Sequence, residues 1–248
     1  MLRGLYIAGA GMDANQARAE ALAHNLANLS TPGYKRDVVA FAPYLTHAVT
    51  RQDGASTPIG QTDYGVAVDL FTPDLGAGPL KFTGRPTDIA LEGEGFFAVE
   101  TAGGEEAYTR DGQLTVDPEG YLVTAAGDRV LGEGGPVQVT GAFTLNEAGE
   151  VIDAAGEVVD RLRVTTFTDP GALTRDGAGR FLAPAAAGGE DAQNFRVLPG
   201  TLEAANVDLA VEMAGMIKAT RAYEAAQRLV RAHDQLAERA ISQVGGVR

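Results

Sequence analysis

The 248 residues include no cysteine, no tryptophan and three histidines, and the net charge is −13. That inventory excludes thiol catalysis, disulfide frameworks and cysteine-based zinc sites, and no run approaches the ~20 apolar residues a spanning helix requires. The acidity is confined to the middle: residues 46–199 hold 10 of the 20 basic and 24 of the 33 acidic side chains, which leaves both ends close to neutral. An acidic body repels phosphate backbones, so nucleic acid is a disfavoured partner; neutral ends can pack against copies of themselves without a large Coulomb cost.

All 11 prolines fall between Pro32 and Pro199, so both ends are free to form long helices. In the first segment a 3–4 spacing picks out Leu2, Leu5, Gly9, Met12, Gln16, Ala19, Ala23 and Leu26, with Leu22 and Leu29 reinforcing the stripe. The helix is predicted to stop at Ser30-Thr31-Pro32-Gly33, where a residue before proline is driven out of the helical region. Ala8-Gly9-Ala10 resembles a signal-peptidase site, but the apolar run Leu5-Tyr6-Ile7 is too short for the core of a signal peptide. No cleaved signal is expected.

Residues 45–62 are polar, with glycine and proline and no period, and read as a linker or extended arm after an N-terminal helical arm of residues 1–44. Residues 63–199 read as an antiparallel all-β domain. A gapless repeat supports this: the stretch from Gly112 to Gly127 aligns with that from Gly141 to Gly156. Each copy runs strand, Asp or Asn, two turn residues, glycine, strand. Asp117-Pro118-Glu119-Gly120 suits a type I turn closed by a left-handed glycine, and Gly171 to Leu182 echoes the pattern weakly.

The last segment, 200–248, is predicted to be a helical arm holding one long helix between residues 206 and 241, with Asn206 as its N-cap. Its 3–4 stripe is Leu209, Met213, Met216, Thr220, Tyr223, Gln227, Val230, Asp234, Ala237 and Ile241, interrupted only by the three polar residues Thr220, Gln227 and Asp234. The expected fold class is α+β, the two terminal helices pairing as a coiled coil with the antiparallel β domain between them in sequence.

The candidates for chemistry are weak. Gly9-Ala-Gly11-Met-Asp-Ala14 matches a dinucleotide-binding turn, but no real strand precedes it and no second strand ending in an acid follows. Glu92 and Glu94 flank Gly93 in a glycine-rich turn, where solvated acids are ordinary. The histidines are scattered, one to each segment, and the only serines are Ser30, Ser56 and Ser242, so no triad is foreseen. Arg221, Arg228 and Arg231 are balanced by Glu224, Asp234 and Glu238. No catalytic, cofactor or metal site is expected.

Three stretches carry a specific likeness: Met1-Leu-Arg-Gly-Leu-Tyr through Asn25-Leu-Ala-Asn28-Leu-Ser-Thr-Pro-Gly-Tyr34-Lys-Arg, Thr83-Gly-Arg-Pro-Thr-Asp through Gly95-Phe-Phe and on to Tyr108-Thr-Arg-Asp-Gly112, and Glu203-Ala-Ala-Asn206-Val-Asp208 through Arg221-Ala-Tyr223-Glu. Together they resemble the signatures of the flagellar rod and hook protein family, and the length favours a rod member of the distal or proximal type. His24-Asn25 stands where relatives often have paired asparagines.

The resemblance implies a structural rod subunit that transmits torque from motor to hook. It also implies location in the basal body, export through the flagellar type III apparatus, and partnership with itself and other axial subunits. The expected assembly interface is Leu2, Leu5, Met12, Leu22, Asn25, Leu26, Asn28 and Leu29 with Asn206, Leu209, Met213, Met216, Tyr223, Val230 and Ile241. Asn25 and Asn28 are expected to face away from the leucine stripe and to bond between subunits. A hook or hook-cap component, and an acidic adhesion module, are the alternatives.

Overall fold

The computed structural model describes residues 2–44, 46–52, 56–177, 179–192 and 194–245, and it divides into two compact units. The first comprises residues 1–27, 37–72 and 208–248; the second comprises residues 28–36 and 73–207.

The first unit is built on two helices, α1 (Leu2–Ala27) and α2 (Leu209–Gly245). They run antiparallel: Gly4 lies against His233, Gly215 against Leu22, and Asn25 bonds Glu212. The residue numbers in each opposed pair have the same sum, so the register is constant, and α2 continues past the start of α1 from about residue 236 onward.

The facing surfaces are small. Ala8, Ala14, Ala21 and Ala219 are buried, and a Cβ on Gly215 would meet Leu22 Cδ2 at 3.1 Å. Close approach of two helices selects such residues and pushes bulkier ones to the flanks. The large side chains of the predicted stripes accordingly sit at the edge of the seam or outside it.

Four strands complete this unit. β1 (Asp37–Pro43) pairs with β4 (Val66–Pro73), and β2 (Thr46–Gln52) pairs with β3 (Ser56–Asp63) as an antiparallel hairpin. Tyr44 N–H donates to Gly65 O at 2.9 Å and Tyr64 N–H to Tyr44 O at 3.1 Å, which closes the hairpin's base. The segment read as a linker is therefore a hairpin. Its ladder shifts register between Val49 and Thr50, beside Pro58, which has no amide hydrogen to donate. The alternation that betrays a strand arises when one face is buried, and among the described residues these two strands pair only with each other. β4, placed by sequence in the β body, instead belongs with the N-terminal arm.

The second unit is antiparallel throughout. Its largest sheet has ten strands, and a three-stranded sheet joins Phe143–Leu145, Glu150–Asp153 and Val158–Arg161. The main core gathers Ile89, Phe97, Val99, Leu122, Val130 and Val151, among others; a smaller one sets Phe96 edge-on to Phe181 with ring centroids 5.4 Å apart.

The repeat is structural. Leu114–Val116 pairs with Leu122–Thr124, and Phe143–Leu145 with Glu150–Asp153. In the first, Asp117 Oδ1 accepts from the amides of Glu119 and Tyr121; in the second, Asn146 Oδ1 accepts from those of Ala148 and Glu150. Gly120 and Gly149 follow at φ +88° and +80°, the left-handed region the turn demands. The weak third echo is also a hairpin, Thr174–Asp176 against Arg180–Leu182.

Candidate assembly interface

Large apolar side chains left in solvent are distributed unevenly. Among the described residues, sixteen of the twenty-one exposed large hydrophobics lie in the first unit, including Tyr6, Ile7, Phe41, Leu70, Phe71, Ile217, Leu229 and Leu236. Exposed apolar residues scattered singly are ordinary, whereas contiguous ones mark contact surfaces. Leu209, Val211, Met213 and Ile217 crowd the first turns of α2, between 46% and 58% exposed.

The expected interface residues divide by position. Leu209, Met213 and Ile241 are exposed. Leu5, Met12, Leu22, Leu26, Asn28, Leu29, Met216, Tyr223 and Val230 are half-buried. Leu2 opens α1, but its side chain lies outside the described residues.

Asn25 faces inward, not outward: it is 1% exposed and bonds within its own chain. Its amide donates to Asp37 O at 3.1 Å and Glu212 Oε2 at 3.2 Å, and its Oδ1 accepts from Asp37 N–H at 2.7 Å. An asparagine with donor and acceptor both used locally has nothing to offer a neighbour. Asn28 accepts from Thr31 Oγ1 at 3.3 Å, and its carbonyl from Thr31 N–H, in the turn that ends α1.

Asn206 is not the cap of α2. Asp208 is: its Oδ1 accepts from Ala210 N–H at 2.8 Å and Val211 N–H at 3.1 Å. The Asn206 side chain is spent elsewhere, accepting from Arg36 N–H at 2.7 Å and donating to Asp74 O at 2.8 Å and Gly76 O at 3.0 Å. Beside it Arg36 Nε donates to Asp74 Oδ2 at 2.9 Å; the Gly76 amide, which donates to Asp74 Oδ1, and then this bond hold the Asp74 carboxyl below its usual range.

A buried ionic cluster lies next to these contacts, and no motif announces it. Lys35, Arg110 and Glu203 are 1%, 6% and 2% exposed. Glu203 Oε1 accepts from Lys35 Nζ at 2.6 Å and Gly78 N–H at 2.8 Å; its Oε2 accepts from Arg110 Nη1 at 3.3 Å. Lys35 Nζ also donates to Gly76 O at 2.9 Å, and Arg110 Nη2 to Gly93 O at 2.8 Å. Two cations thus share one carboxylate, and burial pulls both below their usual ranges against the attraction of Glu203.

Each member comes from a different one of the three signature stretches. The available signal was a charged residue in each; what was missing was its burial. Gly33 seats the N-terminal stretch: at φ +66° its backbone approaches Arg110 so closely that a Cβ would lie 2.3 Å from the Arg110 carbonyl carbon. Arg175 adds a cation–π contact, 4.7 Å from the Tyr34 ring centroid.

The cluster is closed to solvent and joins three chain segments far apart in sequence. Residues 9–14 lie inside α1 rather than in a strand-to-helix turn. Glu92 is exposed and pairs with Arg196 at 3.7 Å. Among the described residues, no group of three or more His, Asp or Glu could hold a metal ion, and no helix is long and apolar enough to cross a membrane.

The three signature stretches that meet in the cluster are also where family models match. Residues 5–35 match the flagella basal body rod protein family, residues 90–140 the flagellar hook protein FlgE/F/G D1 domain, and residues 198–243 the flagellar basal body rod FlgEFG protein C-terminal region. Among full-length relatives, the flagellar basal-body rod protein FlgG of Borreliella burgdorferi is 31% identical over 95% of this chain and 96% of its own. FlgG of Bacillus subtilis is 29% identical over 98% and 99%, and FlgF of Escherichia coli 35% identical over 88% of each. With near-complete coverage at such identity, and with the signature residues built into one shared clasp, the chain belongs to the flagellar basal-body rod protein family.

Proposed function

We propose that this chain is a structural, non-enzymatic subunit of the flagellar rod, located in the basal body and polymerising with copies of itself and other axial subunits through its first unit. The observation that carries the reading is the concentration of exposed large apolar side chains in that unit. Burying a Leu, Ile or Met side chain is worth roughly 1.5–3 kcal/mol, so a few such residues shared between copies supply the drive for assembly. The interface drops Asn25 and Asn206, whose polar groups are used within the chain, and centres on Leu209, Met213, Ile217 and Ile241. The acidic residues of the middle of the chain would keep the second unit solvated in the polymer. Passage through the flagellar export apparatus, without signal cleavage, belongs to the same proposal.

The test is electron microscopy of purified full-length protein on concentration. Wild type is expected to form helical polymers, and the Met213→Lys/Ile217→Lys variant to stay monomeric with unchanged circular dichroism. Equal polymerisation by both would remove the interface from the account.

A further inference from the structure

The chain passes between the two units four times, after Ala27, Arg36, Thr72 and Val207. Each unit gathers its own ends of these passages on one asparagine. In the second unit it is Asn206, just before the last passage. Its Oδ1 accepts from Arg36 N–H at 2.7 Å, and its amide donates to Asp74 O at 2.8 Å and to Gly76 O at 3.0 Å. Asp74 N–H donates in turn to Arg36 O at 2.8 Å, and Asn206 N–H to Tyr34 O at 3.3 Å. The ends at Arg36, Asp74 and Asn206 are thus bonded to one another.

In the first unit the asparagine is Asn25, just before the first passage. It holds Asp37 by both main-chain groups, accepting from its N–H at 2.7 Å and donating to its carbonyl at 3.1 Å, and it donates to Glu212 Oε2 at 3.2 Å. Those three residues stand beside the first, second and fourth passages. Arg36 and Asp37 are neighbours in sequence, one held by each asparagine. The N–H and C=O groups of both residues are therefore all bonded, on either side of the peptide that crosses the boundary. A hinge works through a few residues that can absorb large changes of φ and ψ; at this passage such rotation breaks hydrogen bonds.

We infer that Asn25 and Asn206 are the pins of a stiff joint, so that the four passages act as one braced connection instead of four loose tethers. Both are positioning residues, acting through the main chain they hold. The use of such a joint in a load-bearing tube rests on the rod-subunit reading; the joint itself belongs to the single chain and is tested there.

The chain has no native cysteine, so spin labels can be placed at Ala225→Cys in the first unit and Thr115→Cys in the second, both exposed positions. Double electron–electron resonance on dilute full-length protein is expected to give a single narrow distance distribution. Asn206→Ala and Asn25→Ala are each expected to lose it while circular dichroism stays unchanged. Asn25→Ala also takes from the buried Glu212 its bond, so Asn206→Ala, which breaks only partly buried or exposed bonds, is the deciding variant. Asn146→Ala, which removes two turn bonds far in sequence from every passage, should lower the melting temperature and keep the distribution narrow. A broad distribution in the otherwise unsubstituted protein, one that stays narrow in Asn206→Ala, or equal broadening in Asn146→Ala overturns the inference and leaves the rod-subunit reading intact.

Discussion

Replacing Glu203 by glutamine isolates the charge at the centre of the buried cluster. The amide can still accept from Gly78 N–H, which lies 2.8 Å from Glu203 Oε1, but Lys35 at 2.6 Å and Arg110 at 3.3 Å lose their shared anion. Removing one partner of a buried ion pair costs about 3–5 kcal/mol, chiefly because the remaining charge stays in a poor solvent. For a protein of this size each kcal/mol moves Tm by about 2–4 °C, so Glu203→Gln should lower the melting temperature by about 6–20 °C.

The assay is thermal unfolding of the full-length protein followed by circular dichroism, with a double-mutant cycle against Lys35→Met. In the double variant the uncompensated cation is gone, so its loss should fall well short of the sum of the single losses. A Tm change below about 2 °C for Glu203→Gln, or strict additivity in the cycle, would refute the claim that the three signature stretches are held together by this charge.

Other expectations follow from the same geometry. Burial depresses the Lys35 pKa in the folded state, so from that depressed value up to 10.5 the unfolded chain binds more protons. Stability should accordingly rise with pH through that window, and the rise should vanish in Lys35→Met, as read by urea titration at several pH values. Asp74 has the opposite sign: its lowered pKa adds stability above 3.8 that is lost as pH falls through the folded value. Because the pair it forms with Arg36 is more than a third exposed, Asp74→Asn should cost no more than about 1 kcal/mol at neutral pH. Gly33→Ala must force a left-handed φ on a residue whose Cβ meets backbone at 2.3 Å, so the variant should be recovered unfolded or in greatly reduced soluble yield. Asp208→Ala removes the cap of α2 and should cost about 1 kcal/mol, seen as faster amide exchange in that helix's first turn.

Much of the architecture was legible because its causes are local. Proline-free ends permitted the two helices, and the Asp117 and Asn146 turns announced their hairpins through a side chain two and four residues before the amides it accepts from and a glycine fixed in left-handed φ. Where causes were non-local the reading failed. Asn206 and Asp208 are both good caps two residues apart, and only the fold reveals that Asn206 is occupied by Arg36, Asp74 and Gly76. Lys35 and Glu203 are 168 residues apart, and in sequence each looks like an ordinary surface charge. The helix stripes misled in an instructive way: large apolar residues were read as the seam, yet close helix approach filled it with glycine and alanine and left Leu209, Met213 and Ile241 outside.

The central claim is that the apolar surface of the first unit is covered by other copies. A helical reconstruction of the assembled full-length protein tests it most directly. The account predicts Met213, Ile217, Leu229 and Ile241 buried between subunits, with the acidic side chains that the second unit exposes left in solvent. A polymer joined through the second unit, with α1 and α2 making no contact between copies, would contradict it.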